Sequence, residues 1–199
     1  SAQTLLATLR ELGHAVARTA ARRILFVNGH GGNVPVLQLA LRELRIAEGL
    51  LTFSGTAFAP HLVPVPAAVA AGERGLAVHA GAAETSLMLW LRPEAVDLDL
   101  AAGTVPVHLE RYRTIGFRGA ALSFGWSSQD VSADGVIGDP RRASADYGRA
   151  LFEATTAQLA EAIAEVSAFS FAAGGAPLAA EATGVRPDAA HAAQGEEGS

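Results

Sequence analysis

The 199-residue chain has no cysteine. That excludes disulfides, thiolate zinc sites and a cysteine nucleophile. Any metal must then be held by histidine, aspartate and glutamate, a donor set that suits zinc, manganese or iron(II). Lysine is missing too, so all 15 basic residues are arginine, a one-sidedness that reflects base composition more than function. With 20 acidic residues the net charge is −5, which leaves no basic footprint for nucleic acid or an anionic membrane surface. No apolar run reaches the ~18 residues of a membrane-spanning helix, and no signal-peptide pattern is visible. The expectation is a soluble, cytoplasmic protein with no nucleic acid and no membrane among its partners.

What is present is half hydrophobic (50%) and only 18% charged, enough for one sizeable domain with a core. Its organising stretch is Ile24-Leu25-Phe26-Val27-Asn28-Gly29-His30-Gly31-Gly32-Asn33. A short apolar run ends in a glycine-rich turn, and Val34 to Glu48 then repeats apolar residues at helical spacing. That is the layout of a buried strand, a tight turn and a helix, with His30 at the strand's carboxyl end, where open α/β sheets bind ligands. Gly29, Gly31 and Gly32 are expected to let the backbone turn sharply and to clear the approach to His30.

Before this stretch, Thr4 to Ala21 predicts an amphipathic helix through Leu5, Leu6, Leu9, Leu12 and Val16. After it, Gly49 is a helix stop, and Leu50–Ala59 reads as a second strand. Pro60 to Pro66 reads as a loop, because three prolines there cannot continue a ladder, and Ala67–Gly75 is ambiguous. The apolar tail of Val78 to Leu91 predicts a helix ending before Pro93. Asp97–Gly125 is weakly periodic, as functional loops often are. Ser144 caps a last helix running from Ala145 to about Val166. Residues 1–170 read as one α/β domain and 171–199 as a disordered tail.

Four places could carry chemistry. His30 is either a ligand or catalytic histidine, or a loop histidine bonded to backbone. Glu84 lies in an otherwise apolar helix and is either paired or metal-bound, or bonded to the free amides at the helix start. Together with His79 just before that helix, these groups could form part of a metal site with a nearby acid or base, without completing one. Trp126, among small polar residues, suits a pocket rim, weighed against a place in the core or an interface. Asp139, between Gly138 and Pro140, reads better as a turn residue than as a ligand, and His61 as an exposed loop residue. A phosphate cradle at Gly29–Gly32 matches neither the dinucleotide nor the P-loop pattern.

Three runs taken together carry a resemblance. They are Phe26-Val27-Asn28-Gly29-His30-Gly31-Gly32-Asn33, then His79-Ala80-Gly81 with Glu84-Thr85-Ser86-Leu87-Met88-Leu89, then Gly135-Val136-Ile137-Gly138-Asp139-Pro140. In order and spacing they resemble the creatininase (creatinine amidohydrolase) family over about residues 1–166. The resemblance implies a three-layer α/β/α sandwich with a mostly parallel sheet. It implies a divalent metal centre (Zn, Mn or Fe) that activates water to hydrolyse an amide of a small-molecule substrate, and a homo-oligomer, hexameric in the family. By motif position the resemblance implies His30 as a metal ligand, His79 as the catalytic or substrate-binding histidine, and Glu84 as an acidic group at the metal centre, either a ligand or a group supporting the ligands. Asn28, Gly31 and Trp126 are the candidate substrate contacts. Where creatininase has a metal-binding glutamate, this chain has Gly32, which resembles the deformylase and mycofactocin-peptidase branches instead. The family's early strands and its Glu-x-His-Gly-x-His segment have no counterpart in these residues. The expectation is a chain that lacks part of its ligand set or is completed by an N-terminal partner chain. The competing expectation is a non-catalytic fragment or assembly subunit.

Overall fold

The computed structural model describes residues 1–117 and 119–171, and the expected disordered tail lies outside the described residues apart from Phe171. The elements are α1 (Ala2–Ala17), β1 (Arg23–Asn28), α2 (Val34–Glu48), β2 (Leu51–Thr56), α3 (Ala67–Glu73), α4 (Ala82–Leu91), α5 (Ser128–Val131) and α6 (Ala145–Ala168). The architecture is α/β. β1 and β2 pair directly, with α2 as the crossover between them. Arg22 O accepts from Leu51 N and Asn28 O from Ala57 N, so both strands ascend together and the pair is parallel.

The chain forms two compact units. Among the described residues, one comprises Ser1–Phe26, Asn33–Ser54 and 163–171; the other comprises Val27–Gly32 and Gly55–Ala162. In the first, α1 packs on α2. Leu9, Leu37 and Ala40 form the buried centre, with Leu5, Leu6, Phe26 and Val36 around it. Leu5, Leu6 and Leu9 are stripe positions the sequence predicts, whereas Leu12 of the same stripe is exposed. Ser1 caps α1, its side chain accepting from Thr4 N at 3.2 Å, so the helix starts before the expected Thr4, and it ends at Ala17 rather than Ala21. Gly49, left-handed at φ 67°, ends α2 where expected.

The second unit is organised around α4. Ser86 on α4 is buried, and its hydroxyl accepts from Ser144 N at 3.0 Å, just before α6 begins. A Cβ at Gly148 on α6 would lie 1.8 Å from Ser86 O, so the two helices touch backbone to backbone and only glycine fits there. Ala59, Val69, Ala82, Ile137, Tyr147 and Leu151 are the buried apolar residues of this unit. The ambiguous stretch Ala67–Gly75 is α3, closed by Arg74 in the left-handed region at φ 52°. The long 97–125 segment contains one-turn 3₁₀ helices at Leu98–Leu100 and Val107–Arg111. An antiparallel bridge links Thr104 to Gly138, and another links His79 to Ile137.

Candidate functional site

His30 stands where the sequence places it, two residues after Asn28 ends β1, and is exposed. Its turn is built by Asn28, whose Nδ2 donates to His30 O at 2.8 Å and whose Oδ1 accepts from His30 N at 3.3 Å. Such closure of a turn by an asparagine side chain is a local device. None of Gly29, Gly31 and Gly32 takes a positive φ, so the sharp turn does not rest on glycine dihedrals. Gly32 makes room instead: a Cβ there would lie 2.7 Å from His30 Nε2. Gly31 opens the 3₁₀ turn Gly31–Asn33 that leads into α2.

His79 and Glu84 are brought together. His79 Nδ1 is 3.8 Å from Glu84 Oε2, an ion-pair separation longer than a hydrogen bond. Glu84 sits at the third position of α4, and its Oε2 also accepts from Ala80 N. A carboxylate at a helix start is stabilised by the free amides and the helix dipole. Both readings of Glu84 therefore meet in one geometry: it bonds backbone near the helix start and faces a histidine. Ala80 pays for this arrangement with a left-handed backbone at φ 53°, a conformation that costs a residue with a side chain about 1–2 kcal/mol.

The pair opens on a cavity of ≈ 510 Å³. Apolar walls come from Phe58, Val65, Val69 and Tyr147, and His61, Glu73 and Arg74 add polar groups. His61 is exposed as expected, yet it lines the cavity; the prolines around it gave no sign of that. Glu73 was not singled out by the sequence, since it ends a stretch with no clear periodicity. It is 7% exposed, and its Oε1 accepts from Ala82 N at 2.7 Å and Asp139 N at 2.8 Å. Burial pushes the Tyr147 phenol above its usual range, and the charge of Glu73 adds to that.

Asp139 is also buried, with Oδ1 accepting from Arg141 Nε at 2.7 Å and Oδ2 from Arg142 Nε at 3.0 Å. The Arg141 hydrogen bond holds its carboxyl below the ordinary range, against the opposing effect of burial. Trp126 does not line the cavity. It is exposed and stacks edge-to-face on Phe117 at 5.0 Å, beside Ser127 and Asp130, which form the capping box of α5. Among the described residues, no three histidine, aspartate or glutamate side chains come together in a group that could hold a metal. His30 is thus not joined to His79 and Glu84 in such a group.

Residues 1–163 match the family model described as "Creatininase: Creatinine amidohydrolase". The mycofactocin precursor peptide peptidase of Mycobacterium ulcerans (strain Agy99) is 38% identical over 152 residues, covering 76% of this chain and 51% of that protein. The creatinine amidohydrolase of Pseudomonas putida is 32% identical over 172 residues, covering 81% and 62%. A solved manganese creatininase superposes with a TM-score of 0.59 at 30% identity, over 83% of this chain and 64% of that one. A mutant creatininase of Zn-Zn type gives 0.56 at 29%, with the same coverage. The chain spans about half the length of the first of these curated relatives.

Proposed function

The chain belongs to the creatininase family, and on that footing we propose that it serves a metal-dependent amide hydrolase acting on a small-molecule C–N bond of the amidohydrolase or deformylase type. The observation that carries the reading is the His79–Glu84 pair at the mouth of the cavity. The Glu84 carboxylate lies on the Nδ1 side of the ring, so Nε2 is the nitrogen left to exchange a proton with substrate. His79 would pass that proton to the leaving nitrogen as the C–N bond breaks. The apolar walls of the cavity would hold the uncharged part of the substrate and exclude water around it. Asn28 would keep the His30 turn in place beside the strand end, with Gly31 leaving its backbone open to substrate.

A divalent metal is the cofactor this reading calls for, since by name the two solved relatives are manganese and Zn-Zn forms. It would supply an activated water. His30 and Glu84 are donors of the right chemistry, but a catalytic zinc centre takes about three protein ligands plus water. The described residues present no such group. They therefore fall short of a metal site by themselves, and no step is assigned through one. The further donors are proposed to come from outside these residues, from an N-terminal partner chain or a neighbouring copy in a homo-oligomer.

That shortfall also favours a second reading, a non-catalytic or assembly subunit of the same fold. One experiment separates the two. The purified chain is supplied with zinc or manganese, alone and with an N-terminal segment of a relative, and assayed on creatinine, a formamide and a short peptide. Turnover that His79→Ala abolishes supports the hydrolase. The absence of turnover on every substrate under every condition leaves the non-catalytic subunit.

A further inference from the structure

We infer that Glu73 is a positioning residue that sets the His79–Glu84 pair; the inference rests on reading that pair as the reacting site. A buried carboxylate is costly unless its oxygens are bonded. Glu73 Oε1 is bonded twice, to Ala82 N and to Asp139 N. Each bond leads to one member of the pair. Ala82 opens α4, two residues before Glu84, so the first bond fixes the helix start that carries the carboxylate. Asp139 follows Ile137 and Gly138. Ile137 O accepts from Val78 N at 2.8 Å and from His79 N at 3.1 Å, while Ile137 N donates to His79 O at 2.8 Å. The second bond therefore holds the segment against which the His79 backbone is registered. A single oxygen ties together the two pieces of chain whose side chains must meet.

The glycines around it support this. Gly81, the N-cap of α4, has φ −77° and ψ −173°, a conformation any residue adopts. Its dihedrals do not require glycine, but space does: a Cβ there would lie 2.6 Å from Glu73 Oε1. A Cβ on Gly138 would lie 3.0 Å from the same oxygen. The small residue in the His79-Ala80-Gly81 run and the one before Asp139 thus flank one carboxylate.

The test compares Glu73→Ala, Glu73→Gln, Gly81→Ala and the Glu73→Ala/Gly81→Ala double variant in the full chain. Two readouts are taken: steady-state turnover, and hydrogen exchange of the His79 and Ile137 amides. Glu73→Ala is expected to lower kcat by about 10- to 100-fold with KM within about threefold, as a displaced catalytic group does. Exchange at His79 and Ile137 should rise at least about tenfold as the local structure opens. Glu73→Gln should keep both near wild type, because its carbonyl oxygen still accepts both amides. Gly81→Ala should reproduce Glu73→Ala by displacing the carboxylate, and the double variant should be no worse than Glu73→Ala alone. Unchanged exchange in Glu73→Ala, damage in Glu73→Gln equal to that in Glu73→Ala, or additive losses in the double variant would each overturn the inference. If the wild-type chain hydrolyses no amide, the proposed function fails while amide exchange still decides the role of Glu73. If Glu73→Ala does not fold, Gly81→Ala set against Glu73→Gln carries the same comparison.

Discussion

The two histidine turns of the second unit are built in opposite ways. The His30 turn closes on itself through Asn28, two residues away. The His79 turn is closed by distant chain: Ile137 across a backbone bridge, and Glu73, whose carboxylate reaches across 9 residues to Ala82 and 66 residues to Asp139. A turn closed by its own neighbours holds its shape whatever surrounds it. A turn closed from afar holds only while the unit is folded, so its chemistry is tied to the stability of that unit.

The sharpest test of that contrast is to remove each imidazole. His79→Ala is expected to cut turnover by about 10²- to 10⁴-fold, the usual worth of a general acid or base, and to leave metal uptake unchanged. His30→Ala should lower zinc or manganese uptake by elemental analysis. Identical effects of the two on turnover and uptake would erase the distinction. Next in size is Gly148→Ala, which drives a methyl group into Ser86 O and must push α4 and α6 apart. It should cost about 1–3 kcal/mol or more in chemical denaturation. The His79–Ile137 amides should exchange faster in it, while the His30 turn is unaffected.

Asn28→Ala is the converse. It should cost about 1 kcal/mol or less and loosen only the His30 turn, seen as changed amide shifts confined to residues near it. The smallest effect concerns pH. Asp139 titrates below its ordinary value in the folded chain, so the stability it contributes is present above about pH 4. That contribution is lost as pH falls through the depressed folded value. Asp139→Asn should therefore flatten the decline of Tm between about pH 4 and pH 2, and an equally steep decline would show that the arginine pairing contributes nothing.

The same contrast explains what could be read in advance. Helix α2, strand β1 and the stop at Gly49 follow from local periodicity and punctuation, and the structure places them at the expected residues. The His79–Glu84 pair was legible because the two lie five residues apart around a helix start. Glu73 was not legible, since nothing within its own helix distinguishes a carboxylate that reaches Asp139 from one facing solvent. His61 was missed for the same reason: the cavity it lines is made by residues from Phe58 to Tyr147. At Trp126 the sequence leaves a pocket rim weighed against a core or interface place; its small polar neighbours Ser127 and Asp130 cap a short helix, and the exposed ring stacks on Phe117.

The left-handed Ala80 has a consequence for selection. Glycine at that position would relieve about 1 kcal/mol of backbone cost, and would add back a comparable amount through the greater freedom of the unfolded chain. The two nearly cancel, so a thermal-shift screen would score Ala80→Gly as neutral. Only turnover would register it, because the added freedom is felt where Ala80 N meets the Glu84 carboxylate. Variants filtered for heat resistance alone would pass this position unexamined.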